Sequence, residues 1–123
     1  ILYRAGEYDR AMAEANKALE MNPRRISSLQ WLAMSYERKG MYAEALAVFD
    51  RARQVEDTPE LRAFQAHTHA LAGNRVEALR TIENLKAETA RRERYVSPFY
   101  IAVVHAGLGE KNEALKWLEK AYE

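Results

Sequence analysis

The chain has 123 residues, enough for one modest domain, and its 48% hydrophobic and 30% charged residues are the balance of an ordinary globular protein. A net charge of +1 provides no long-range field to draw in nucleic acid or another polyanion. The absence of cysteine excludes disulfides and thiolate metal centres, and the most apolar run, residues 99–108, is far too short to span a bilayer.

The elements read in order as helices. Ile1-Leu2-Tyr3-Arg4-Ala5 is expected to be the last turn of a helix, closed by Gly6, because only glycine adopts the left-handed backbone without a Cβ penalty. Asp9 then caps a helix that carries Ala11, Ala15, Ala18 and Leu19 on one stripe and ends near Met21, where Pro23 stops it. Ser27 or Ser28 caps a helix over 29–39, Gly40 ends it, and a partner helix follows over 43–54. Thr58-Pro59 opens a pair over 59–72 and 75–93 around Gly73, since proline suits a first helical turn. Ser97-Pro98 opens the last pair, over 98–108 and 111–122. The basic end 91–94 suits the negative end of the helix dipole and is expected to be solvated.

Two columns run through these elements. Gly6, Gly40, Gly73 and Gly109 are 34, 33 and 36 residues apart, and Ala11, Ala45, Ala78 and Ala114 follow each by five. Fixed self-similarity at this period is the signature of a helical repeat array. The physical reason is close approach, because two helices come within roughly 8 Å only where the contact residues are small. The first helices supply Ala33, Ala66 and Ala102, and the second helices Ala45, Ala78 and Ala114. Leu32, Tyr36, Tyr42, Phe49, Ile82, Ile101 and Leu118 fill the space beside them. One hairpin cannot cover its own apolar faces and stacks on the next. The chain therefore divides into a partial repeat (1–25), two full repeats (26–58 and 59–94) and a C-terminal repeat (95–123) of a single array.

The second repeat resembles the tetratricopeptide repeat in Leu29, Leu32, Ala33, Tyr36, Gly40, Tyr42, Ala45, Phe49 and Ala52, and the first in Gly6, Tyr8, Ala11, Ala18 and Pro23. Later repeats depart from it: His69 and His105 replace the first Tyr, Arg75 and Lys111 the second, and Pro59 comes two residues late. The resemblance implies an all-α fold, a solenoid of helical hairpins forming a right-handed superhelix of about three and a half repeats. It also implies a protein-interaction role. The end of the chain, from Tyr95 to Tyr122, resembles the closing repeats of bacterial multidomain regulators, in which a kinase or DNA-binding domain precedes the array. The chain neither begins with Met nor shows a signal peptide, and is expected to be a cytoplasmic piece of a longer protein.

Chemistry other than binding finds little footing. His67 and His69 point about 200° apart on a helix and cannot share a metal ion. Carboxylates fall on outer helix faces beside Lys and Arg, with no acid–base pair in a pocket, so neither an enzyme nor a cofactor is expected. RNA-reading repeats use polar side chains at positions that are apolar here. One subfamily of the repeat grips C-terminal carboxylates with Lys, Arg and Asn on the first helices. The corresponding residues here are Ser27, Gln30, Trp31 and Met34, then Glu60, Ala63, Phe64 and His67, then Val96, Phe99, Tyr100 and Val103, none of them Lys, Arg or Asn.

What remains is an aromatic column. Trp31, Phe64 and Tyr100 each stand two residues before the small Ala of their helix and so point away from the partner helix. Met34, His67 and Val103, then Arg38 and Leu71, continue the stripe, and Phe99 adjoins it. These nine residues are expected to form a groove for a peptide or helix of a partner protein, on the concave surface that the resemblance implies. The alternative is a self-association element of a larger bacterial regulatory protein. Solenoid ends need polar caps, and none is visible. Ala11, Ala15 and Leu19 are expected to be underpacked at the start, and Trp117 to remain uncovered at the end as a candidate homo-oligomer surface.

Overall fold

The computed structural model describes residues 5–91 and 96–122, which contain seven α-helices and no strand. α1 (Ala5–Met21), α2 (Ile26–Arg38) and α3 (Tyr42–Val55) lie in one compact unit, Ile1–Asp57. α4 (Pro59–Leu71), α5 (Arg75–Arg91), α6 (Pro98–Gly107) and α7 (Lys111–Ala121) lie in a second, Thr58–Glu123. Neighbours in sequence pack as hairpins, α2 on α3, α4 on α5 and α6 on α7, while α1 packs on α2 and α4 on α6. The expected hairpins are therefore present.

The three hairpin turns share one mechanism. Gly40, Gly73 and Gly109 have φ of 78°, 91° and 77°. In each turn the glycine N–H donates to a carbonyl three residues back, and the next residue's N–H donates to one five back: Met41 to Tyr36, Asn74 to His69, Glu110 to His105. This pair of hydrogen bonds at a helix end satisfies carbonyls that would otherwise lack partners, and only glycine reaches the required backbone without strain. The residue that closes the longer bond is the Tyr36, His69, His105 column. Where His stands, its ring also reaches across the turn: His69 Nδ1 lies 3.2 Å from Asn74 Nδ2, and His105 Nδ1 lies 2.8 Å from Glu110 Oε1. The histidines thus replace an aromatic Tyr with a polar brace.

Gly6 does not behave like the other three. It sits inside α1 without a left-handed backbone, and Asp9, expected as a cap, lies in the second turn of that helix and pairs with Lys39. Of the remnant expected over residues 1–5, Ala5 instead begins α1 and residues 1–4 lie outside the described residues, as do Arg92, Glu93 and Arg94. Nor do Ser27 or Ser28 cap α2, which starts at Ile26 after Arg25 with no side-chain cap. The Thr and Ser before proline do cap: Thr58 Oγ1 accepts from Leu61 N and Ser97 Oγ from Phe99 N, both at 3.2 Å.

All six alanines of the two small columns are buried. In the first unit, Leu29, Leu32, Val48 and Phe49 pack beside them. Burying each such side chain contributes about 1.5–3 kcal/mol. α1 joins this core through Ala15 and Leu19, both buried rather than underpacked as expected, while Ala11 is partly buried. In the second unit, Ala63, Ala66, Ala78, Ile82, Leu85, Val96, Ile101 and Val104 form one cluster, against which Tyr100, Leu108 and Trp117 are packed. Trp117, expected to be the uncovered residue of the last helix, is therefore half-buried in its own unit; Leu115 of α7 and Tyr122, just past its end, are exposed.

Gly107 fixes the approach of α4 to α6. A Cβ built there would lie 2.9 Å from His67 Cδ2 and 3.1 and 3.2 Å from the His67 carbonyl oxygen and Cα. A side chain at that point would force the His67 ring or the α4 backbone to shift.

Candidate protein-binding surface

In the first unit the structure gathers the three expected residues of α2. Trp31, Met34 and Arg38 line a hollow of about 180 Å³ together with Ser35 and with Tyr8 of α1. Trp31 is 55% exposed although its neighbours Leu32 and Ala33 are buried. The alternation has a plain origin, since residues 32 and 33 face the unit's core while residue 31 is turned about 100° from the first and about 200° from the second. Beneath the ring, the Ser35 hydroxyl donates to the Trp31 carbonyl at 2.9 Å, which satisfies a buried polar group within its own helix. Arg38 is exposed at the far end of the stripe.

In the second unit the expected residues fall on α4 and α6. Phe64 and His67 are partly buried and Leu71 is 43% exposed. Thr68 takes the place of Ser35, its hydroxyl donating to the Phe64 carbonyl at 3.1 Å. On α6, Phe99 is exposed while Tyr100 and Val103 are partly buried, and the Phe99 and Tyr100 rings meet edge to face with centroids 5.8 Å apart. Burial pushes the Tyr100 phenol above its ordinary range, and the negative charge of Glu60 on α4 adds to this. Tyr8 is the residue of this surface that the periodic argument missed, because it belongs to α1 and enters only through the packing of α1 on α2.

The charged groups do other work. Arg62 of α4 and Glu88 of α5 pair at 2.7 Å with side chains only 14% and 20% exposed, so not every carboxylate lies on an outer face. Glu37 is buried as well. Glu110 accepts from Arg75 at 2.8 Å and meets His105 at the same distance, joining the turn after α6 to the start of α5. These contacts, His105 first and Arg75 second, hold the Glu110 carboxyl below its ordinary value. No cluster of three or more His, Asp or Glu suited to a metal ion occurs among the described residues, and no helix there is long and apolar enough to cross a membrane.

A tetratricopeptide repeat model matches residues 2–68, more than half of the chain, and a second tetratricopeptide repeat model matches residues 59–84. No curated protein matches the chain.

Proposed function

The chain belongs to the tetratricopeptide repeat family, whose members are generally protein–protein interaction modules, and we propose that it binds a peptide or helical segment of a partner protein along the face of its first helices. The contact residues in this reading are Trp31, Met34 and Arg38 in the first unit, and Phe64, His67, Leu71, Phe99, Tyr100 and Val103 in the second. The observation that carries it is Trp31, a large aromatic left more than half exposed on the rim of a hollow. Exposed tryptophan beside an adaptable methionine and a guanidinium is the composition of a binding hot spot. The role is that of a scaffold, in which the chain supplies shape and anchoring pockets rather than chemistry.

A second reading, assembly of copies of the chain through α7, is favoured by the exposure of Leu115 and Tyr122. The half-burial of Trp117 removes the residue on which that reading chiefly leaned. Sedimentation separates the two. A binding module keeps its monomer mass across the micromolar range, whereas an assembly element gains mass with concentration and loses that gain on changing Leu115 to Glu.

A further inference from the structure

A second hollow lies in the second unit, between the end of α5, the start of α6 and α7. Its volume is about 210 Å³, and Lys86, Thr89, Ala90, Val96, Pro98, Ile101 and Trp117 line it. Val96 and Ile101 are buried and belong to the core cluster of the unit, so the floor is fixed and apolar. Cavities of about 150 Å³ with apolar walls take up a benzene ring in other proteins.

The Trp117 wall is unusual in its polar company. Lys86 Nζ stands 5.3 Å and Lys120 Nζ 4.4 Å from the centre of the indole ring, and neither ammonium meets a carboxylate among the described residues. The indole Nε1 is buried and has no hydrogen-bond acceptor among the described residues, although buried tryptophan N–H groups usually find one. Two ammonium groups thus stand over one ring, whose own N–H is buried, beside an apolar hollow, with no acceptor for the N–H and no carboxylate partner for the lysines among the described residues. The cation–ring attraction accounts for part of this arrangement, but each lysine lowers the benefit of placing the other there. An anion within reach of both ammonium groups, Lys86 in the lining of the hollow and Lys120 beside its Trp117 wall, offsets that repulsion.

We propose that this hollow binds a small apolar carboxylic acid, a single ring or branched aliphatic chain seated on Val96, Ile101 and Trp117 with its carboxylate held by Lys86 and Lys120. The site shares no residue with the proposed peptide-binding surface. A ligand of this class supplies in one molecule the two things the site lacks, apolar bulk and a negative acceptor.

Changing Trp31 to Phe leaves Trp117 as the sole tryptophan, and its emission then reports the hollow alone. The probe is 3-phenylpropanoate, titrated beside its neutral amide, 3-phenylpropanamide. The expected result is a saturable emission change with the acid, weaker by about tenfold or more with the amide, the scale of one charge-assisted hydrogen bond. The Lys86→Gln, Lys120→Gln double variant loses the same factor. Ala90→Phe, at an exposed lip residue whose replacement leaves the core untouched, abolishes the change while circular dichroism stays that of the parent. Equal binding of acid and amide, a linear quench, or a titration that the lysine variants leave intact overturns the proposal. So does binding of an apolar peptide C-terminus where the free acid does not bind.

Discussion

Replacing Gly107 by Ala tests the packing of the second unit at its tightest point. The new Cβ would lie 2.9 Å from the His67 ring, which can rotate, and also 3.1 and 3.2 Å from the His67 carbonyl oxygen and Cα, which move only if α4 moves. Overpacking of this kind costs about 1–3 kcal/mol. Alanine is intrinsically better than glycine in a helix by at most about 1 kcal/mol, and by less at Gly107, the last residue of α6. The balance is a loss of about 1–2 kcal/mol, or roughly 4 °C in Tm for each kcal/mol at this size. Gly6 supplies the control, because it is helical and exposed, and a Cβ there meets nothing within 4 Å. Gly6→Ala therefore leaves stability unchanged or raises it by a few tenths of a kcal/mol. Urea unfolding followed by circular dichroism reads both and, in a Trp31→Phe background, the emission of Trp117 reports the second unit. A Gly107→Ala variant as stable as the parent would refute the close approach of α4 and α6.

Three further outcomes are expected. Trp31→Ala weakens binding of a partner peptide by about 1–3 kcal/mol by calorimetry while leaving Tm nearly unchanged, since the ring is more than half exposed. Glu88→Ala costs about 1–3 kcal/mol in urea unfolding, between the small value of an exposed pair and the 3–5 kcal/mol of a buried one, and Arg62→Met added to it recovers part of that loss. Glu110→Gln lowers Tm at neutral pH, and the difference shrinks as pH falls. The folded carboxyl titrates below its ordinary value of 4.5, so the stability it contributes is complete above that value and is lost as pH drops through the folded one.

The hairpins were legible because their cause is local. Gly40, Gly73 and Gly109 end helices by a backbone conformation that sequence spacing marks, and Ala33 with Ala45, or Ala66 with Ala78, report a contact between adjacent helices. Gly6 carries the same letter at the same period, yet its backbone is helical; nothing in the residue itself says which of the two roles it takes. Gly107 was silent for the opposite reason, since its partner His67 lies 40 residues away and matters only once α4 meets α6. The stripe of candidate contact residues followed from helical angles, whereas Tyr8 required knowing how α1 packs. Trp117 was misjudged because position on a last helix says which way a ring points but not how far it can fold back onto Val96 and Ile101.

The central claim is best tested by mapping where a bound peptide touches the chain. A peptide selected from a random library against the chain would be titrated into isotopically labelled protein, with amide and side-chain resonances followed by NMR. The account predicts that the largest shifts fall on Tyr8, Trp31, Met34 and Arg38 and on the α4 and α6 rows from Phe64 to Leu71 and Phe99 to Val103, and that they vanish in Trp31→Ala, Phe64→Ala. Shifts concentrated on the outer residues of α3, α5 and α7, unaffected by those substitutions, would contradict it.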